Sequence, residues 1–158
     1  DLKGGWTNRY VYEYKMRFPE GPRPETMPRW HKHIWLTAIL WSSEPASARA
    51  VREAILTMVF RCSYVQRHGV ARTIREMFAQ EGAVLARAGC STPSLDDDDI
   101  EYTRTVLAPF LDASDKRTVI ECMFGDAAGR TLGFTPRGLS PWAGLALGLH
   151  GARTQVAA

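Results

Sequence analysis

The paired histidines His31 and His33 are the strongest metal-binding candidates in the sequence. On an extended segment, side chains two residues apart share one face, so two imidazoles could bind the same ion. A zinc site needs three or four ligands, and no Cys or His follows this pair before Cys62 and His68. We therefore predict packed, hydrogen-bonded histidines, and neither a metal nor another cofactor.

The acidic run "DDDDIE", residues 96–101, is a second candidate for binding a cation. An EF-hand loop requires Gly at its sixth position and Glu at its twelfth. Counting from Asp96, these positions hold Glu101 and Leu107, so the pattern does not match. Acidic residues also suit the positive end of a helix dipole, and we predict a helix start here.

No residue pattern in the sequence predicts catalysis. Cys62 and Cys122 fall on apolar helix faces, where a thiol is a small buried hydrophobe rather than a nucleophile. The Gly-rich stretch "GDAAGRTLG", residues 125–133, lacks the Lys of a phosphate-binding loop. The three cysteines have no CxxC spacing, which argues against a disulfide framework and favours a reducing compartment. We predict a chain that is not an enzyme and has no small-molecule substrate.

Four helices are predicted between Ser47 and Gly125. Apolar residues recur at spacings of three and four in the first of them, as on the buried face of an amphipathic helix. Ser47 or Ser43 caps the first helix, and Gly69 ends or bends it. Its predicted inward residues are Val51, Ile55, Met58, Cys62 and Val65. A second helix follows to Gly89, a third begins in the acidic run, and Ser114 is the expected cap of the fourth.

The two ends of the chain are predicted to be less regular. Residues 6–18 alternate with Tyr10, Tyr12 and Tyr14 on one side, which is typical of a strand, and residues 19–28 form a Pro-rich connector. Residues 126–158 are Gly-rich and predict an irregular tail with at most a short helical turn near 142–149. The predicted fold is mainly α: an extended aromatic strap (1–46), a helical region (47–125) and a tail (126–158) in one structural unit.

The charge distribution leaves a nucleic-acid alternative open. Residues 1–80 contain 13 Lys and Arg against 7 Asp and Glu, whereas residues 81–158 contain 7 against 10. A helical hairpin near Gly69 carries four arginines and partly resembles a DNA-reading helix-turn-helix: Arg61, Arg67, Arg72 and Arg75. The net charge of +3 is weak, so nucleic acid is not the favoured partner.

The aromatic residues of the N-terminal strap predict a protein interface. Trp30, Trp35 and Trp41 are five and six residues apart, so they cannot share one helix face. They either cover this chain's own helices or fill a groove on a partner, where Trp and Tyr dominate binding energies. The predicted partner-binding residues are Tyr10, Tyr12, Trp30, His31, Trp35 and Trp41.

One family is similar to this strap. The segments "RYVYE" at 9–13, "MPRWHKHIWL" at 27–36 and "SSEP" at 42–45 resemble the NADH:ubiquinone oxidoreductase alpha-subcomplex subunit 12 family. Pro28, Trp30 and His31 match its P-x-W-H core, and Glu44-Pro45 matches its acidic-Pro step; Arg29 stands where the family has Glu. The helices from Ser47 to Gly125 have no counterpart in that family.

The resemblance implies a non-catalytic accessory subunit on the matrix side of mitochondrial respiratory complex I. Its partners would be other protein subunits, with the extra helices adding contact area. No apolar run is long enough to span a membrane. The chain begins at Asp1, which is compatible with removal of a targeting peptide. The alternatives are a subunit of the mitochondrial ribosome or of another respiratory complex, and a helical DNA-binding module.

Overall fold

Helices dominate the computed structural model, which describes residues 8–19 and 36–157. Seven α-helices occur in this part of the chain, and no strand does. In chain order they are α1 Arg9–Arg17, α2 Ala48–His68, α3 Ile74–Ala88, α4 Asp97–Leu107, α5 Lys116–Phe124, α6 Asp126–Thr131 and α7 Ala143–Ala157. A 3-10 turn, Ala108–Phe110, follows α4 at Pro109. The prediction of a mainly α fold is confirmed.

Helices α2 to α5 begin and end at the capping residues and glycines of the local sequence. Ser47 caps α2 by accepting a hydrogen bond from the Ala50 amide, and Gly69 ends that helix with a φ of 81°. Thr73 and Glu76 form a reciprocal capping box at α3, and Asp96 caps α4, whose first turn holds three more aspartates. The predicted cap Ser114 is wrong by one residue, because Asp115 accepts the Thr118 amide hydrogen bond that starts α5.

The predicted strand over residues 6–18 is wrong for the described residues from 9 onward, which form α1. Asn8 caps this helix by accepting hydrogen bonds from the amides of Tyr10 and Val11. Tyr10, Tyr14 and Phe18 are four residues apart, so they lie on one face of the helix, and they contact the core together. The alternating tyrosines are compatible with a strand or a helix, and packing against the other helices favours the helix.

The predicted irregular tail is also wrong. Residues 126–157 form α6, a loop and α7, and the apolar residues of α7 lie at the centre of the core: Ala143, Leu145, Ala146 and Leu149. Asp126 orders the loop by accepting hydrogen bonds from the amides of Arg137, Gly138 and Leu139 at 2.9–3.1 Å. The glycines that predicted irregularity instead allow α7 to lie close against its neighbours.

Candidate partner-binding surface

Helix α1 uses its aromatic residues mainly within the molecule. The Tyr10 ring lies 5.5 Å from Trp142 and 6.1 Å from Phe124, centroid to centroid. Trp142 has a φ of 62°, an unusual backbone conformation for a bulky residue, and its ring contacts Phe124 edge-on at 5.3 Å. Tyr14 and Phe18 are also buried, and their rings contact each other with centroids 6.0 Å apart. Docking of α1 therefore depends on an aromatic cluster that reaches the start of α7.

Trp41 fastens the non-helical segment of residues 36–46 to α1. Its indole N–H donates a hydrogen bond to Glu13 Oε1 at 2.8 Å. The Arg9 guanidinium lies between two indole rings, 5.2 Å from Trp41 and 5.1 Å from Trp142, and also pairs with Glu44. Cation–π contacts of this kind add to the attraction where the groups are partly desolvated. Trp41 thus attaches the segment to α1, and Arg9 of α1 contacts both Trp41 and Trp142, the residue before α7.

A cleft of about 390 Å³ lies between α1, this segment and α2. Beside it lies a buried ion cluster, in which Arg61 Nε and Nη2 donate to the two oxygens of Glu81 at 2.7 and 2.8 Å. Arg17 also pairs with Glu81, and the Gln80 amide nitrogen donates to Glu81 Oε1 at 3.1 Å. Glu81 is fully buried. Each guanidinium already has a carboxylate partner, so the cluster joins α1, α2 and α3 instead of offering a free charge.

Burial and charge together set the protonation of this cluster. Burial alone would raise the pKa of Glu81, but the positive charges of Arg61 and Arg17 and the hydrogen bonds lower it to about 2. The pKa of Glu13 is also lowered: burial opposes the shift, and Arg17, the Trp41 hydrogen bond and Arg9 outweigh burial. Both carboxylates are therefore ionised at neutral pH.

Replacement of Trp41 by Phe tests this attachment. The variant keeps an aromatic ring but removes the N–H donor to Glu13, so the pKa of Glu13 should rise towards its ordinary value and unfolding should become easier by about 1 kcal/mol. NMR titration of the Glu13 carboxyl and urea denaturation measure the two effects. Tyr12→Phe is the control, because it keeps the edge-on ring contact with Trp41, 6.0 Å between centroids, and should leave the Glu13 pKa unchanged.

The surroundings of the three cysteines disfavour the reactive thiolate form. Burial raises the pKa of each thiol, and the pKa of Cys122 rises to about 12. Cys90 and Cys122 are almost inaccessible, and Cys62 is half-buried. A nucleophilic thiol needs the opposite setting, exposed and electropositive.

The described part of the chain contains no group of three or more His, Cys, Asp or Glu that could hold a metal ion. His31 and His33 lie outside the described residues.

The predicted basic hairpin between α2 and α3 exposes less positive charge than its four arginines suggest, because two of them pair with carboxylates. Arg61 points into the core and pairs with Glu81, and Arg75 lies 3.4 Å from Asp112. Only part of the expected positive face therefore remains at the surface between α2 and α3.

Helix α2 carries an exposed apolar stripe, part of which the sequence predicts to face the core. Val51, Ile55 and Val59 are 41%, 49% and 40% exposed, at spacings of four residues along one side of the helix. Val51 and Ile55 were predicted to face the core, yet the buried residues of α2 are Met58 and Arg61. We call Val51, Ile55 and Val59 the α2 stripe. Periodicity identifies such a stripe but does not reveal whether the protein's own core or another molecule covers it.

The 36–46 segment extends this apolar surface. Leu36 and Leu40 are 52% and 53% exposed. Leu40 lines the same cleft as Met58, which follows Ile55 by three residues and Val51 by seven and so lies beside them on the helix. Apolar side chains that are exposed together, and not singly, mark interaction sites.

The predicted partner-binding residues are distributed unevenly over the structure. Tyr10 is half-buried in the aromatic cluster, Tyr12 is exposed, and Trp41 is half-buried beside Glu13. Trp30, His31 and Trp35 lie outside the described residues. Partner binding by this set stays a prediction.

Comparisons with known proteins find a bacterial relative and no matching family model. The chain is 36% identical over 81 residues to "Uncharacterized protein YjfC" of Bacillus subtilis (strain 168). The match covers 51% of this chain and 27% of the relative, so the chain spans well under two thirds of that protein's length. No family model and no solved structure matches. No helix in the described residues combines the length and apolarity needed to cross a membrane.

Proposed function

We propose that this chain is a non-catalytic, protein-binding subunit of a larger assembly, and that it docks through the α2 stripe. The carrying observation is the exposure of three branched aliphatic side chains in one row on α2, whose buried residues are Met58 and Arg61. Burying a side chain of this size stabilises an association by roughly 1.5–3 kcal/mol when it passes from water to a fully apolar contact. Three such residues, half-exposed here, are therefore a substantial part of a docking energy.

The rigid setting of α2 supports this use. The buried Arg61–Glu81–Arg17 cluster ties the helix to α3 and α1, so the stripe is presented in a fixed orientation. A surface that is already ordered loses little conformational entropy when it binds. The neighbouring leucines of the 36–46 segment widen the area available to a partner.

The complex I resemblance gives the proposal its most specific form, a matrix-side accessory subunit of the mitochondrial enzyme. Its motif residues Pro28, Trp30 and His31 lie outside the described residues, and the stripe on α2 lies outside the resemblance. Complex I therefore remains the specific candidate, and the wider proposal of a docking subunit rests on the α2 stripe alone.

Replacement of Ile55 by Glu tests the docking proposal. Native protein extracted in mild detergent should migrate with a large complex on a native gel, whereas the Ile55→Glu variant, expressed in its place, should migrate as a small species. The reason is that a charge at the centre of the stripe must be desolvated on docking. An in-gel NADH dehydrogenase stain on the same gel asks whether the large complex is complex I.

The matched control is Ala83→Glu, which places the same side chain on an exposed position of α3. It should migrate as the wild type does. Equal migration of wild type and Ile55→Glu in the large complex would contradict docking through the stripe. A large complex without the NADH stain would leave docking standing and remove complex I.

A further inference from the structure

We infer that the partner of the α2 stripe is an acidic amphipathic helix. This inference rests on the proposed docking function and adds the chemistry of the partner. It starts from the side chains that border the stripe. Arg52 is exposed, lies three residues before Ile55 and seven before Val59, and so flanks both on the helix surface.

The charges of α2 are strongly one-sided. The helix carries Arg49, Arg52, Arg61 and Arg67 against a single acidic residue, Glu53. Glu53 is only 23% exposed and already pairs with Arg49, Oε1 to Nε, at 2.7 Å. Arg61 is buried and Arg49 pairs with Glu53, which leaves two exposed cations on this side of α2: Arg52 beside the stripe and Arg67 about two turns beyond Val59. We call Arg52 and Arg67 the basic edge. A partner that carries carboxylates beside its apolar residues complements this edge.

A second copy of this chain fits the surface poorly. In a symmetric pair of α2 helices the basic edges would face each other or face apolar residues, and α2 has no free carboxylate to answer them. Like charges brought together at an interface disfavour that pairing. The charge pattern therefore selects against self-association and for an acidic partner.

The shape of the surface indicates a helical partner. The α2 stripe is a narrow row of residues four apart, bounded on its other side by the cleft and Leu40. An amphipathic helix presents apolar residues at matching spacings and would lie along such a row. An anionic membrane would also attract a basic-edged apolar face, but the stripe holds no Trp or Phe, which are typical of interfacial helices.

The test uses the full chain and two labelled synthetic peptides. Both are amphipathic helices with Leu along one face; one has Glu at the flanking positions and the other has Lys. Fluorescence anisotropy at about 50 mM and about 300 mM salt gives both affinities, and screening should shrink any charge effect at the higher salt. We expect the Glu peptide to bind about tenfold more tightly than the Lys peptide at low salt.

Charge reversal at the edge supplies the decisive comparison. Arg52→Glu should remove or invert the preference for the Glu peptide, whereas Arg104→Glu, at a 56% exposed arginine of α4, should leave it unchanged. Ile55→Glu should weaken both peptides. Preferential binding of phosphatidylserine vesicles over the Glu peptide would overturn the inference in favour of a membrane surface.

The outcomes separate this inference from the docking proposal. Equal binding of both peptides, lost in Ile55→Glu, would overturn the acidic partner and leave docking through the stripe intact. Binding of neither peptide would also overturn the inference, while migration of the native protein in a large complex, lost in Ile55→Glu, would still support docking. Migration of the native protein as a small, unbound species would contradict both the acidic partner and docking through the stripe.

Discussion

Gly82→Ala is expected to destabilise the fold by about 3 kcal/mol, a large effect for a single methyl group. A Cβ atom at Gly82 would lie 2.2 Å from the carbonyl oxygen of Gly148, far inside van der Waals contact. The obstacle is backbone, which cannot turn away as a flexible side chain does. Helices α3 and α7 would have to separate, and the core contacts of Leu145 and Leu149 would loosen with them. Urea denaturation of the purified variant measures the loss.

Gly151→Ala is the matched control for this prediction. Gly151 lies on α7 like Gly148, but no atom is within 4 Å of the position where its Cβ would stand. Alanine is favoured over glycine inside a helix, so this variant should be more stable by roughly 0.5–1 kcal/mol. If Gly82→Ala were as stable as the wild type, α3 and α7 could not cross as closely as the structure shows.

The glycine content of residues 126–158 shows why this last part of the chain is hard to predict. Glycine lowers intrinsic helix propensity, and a sequence rich in it predicts irregular structure. Gly144 and Gly148 are nevertheless four residues apart on α7, and each brings its backbone against a neighbouring helix. The gain in packing outweighs the local propensity, and it depends on residues far away in the sequence.

The middle helices could be predicted because their signals are local. Caps at Ser47 and Asp96 and end glycines at 69, 89 and 125 lie next to the helices that they bound. Helix α1 could not be predicted in this way, since nine residues rarely form a helix alone and docking decides their conformation.

The orientation of α2 depends on the buried ion pair between Arg61 and Glu81, which no sequence pattern predicts. Sequence periodicity favours turning Val51 and Ile55 inward, because burial of aliphatic residues is the default. The structure instead turns Arg61 inward, where it meets Glu81 from α3. Two residues 20 positions apart carry no local sign of their pairing. The candidate surface thus exists because Met58 and Arg61, and not Val51 and Ile55, are buried on the interior side of the helix.

Glu81→Gln should be the most destabilising of the conservative substitutions, with a loss of about 3–5 kcal/mol in the free energy of unfolding. Gln has nearly the same size but no charge, so two guanidinium groups would lose an anionic partner inside the protein. Arg17 would retain Glu13, whereas Arg61 has no other carboxylate partner within residues 8–19 and 36–157. Denaturant titration at neutral pH measures the loss, and Glu101→Gln, at an exposed pair with Arg104, should cost less than about 1 kcal/mol.

The pH dependence of stability tests the role of the Glu81 carboxylate in a second, independent way. The pKa of Glu81 is lowered from 4.5 to about 2 in the folded protein, so its ionised form favours folding above the ordinary pKa. That stabilisation should be complete above about pH 5 and lost progressively as the pH falls towards 2. The stability difference between wild type and Glu81→Gln should therefore stay constant from neutral pH down to about pH 5 and shrink below it. A difference that did not change in acid would show that the pairing of Glu81 with Arg61 and Arg17 does not hold the carboxylate in its charged form, and the fixed orientation of the α2 stripe would lose its physical basis.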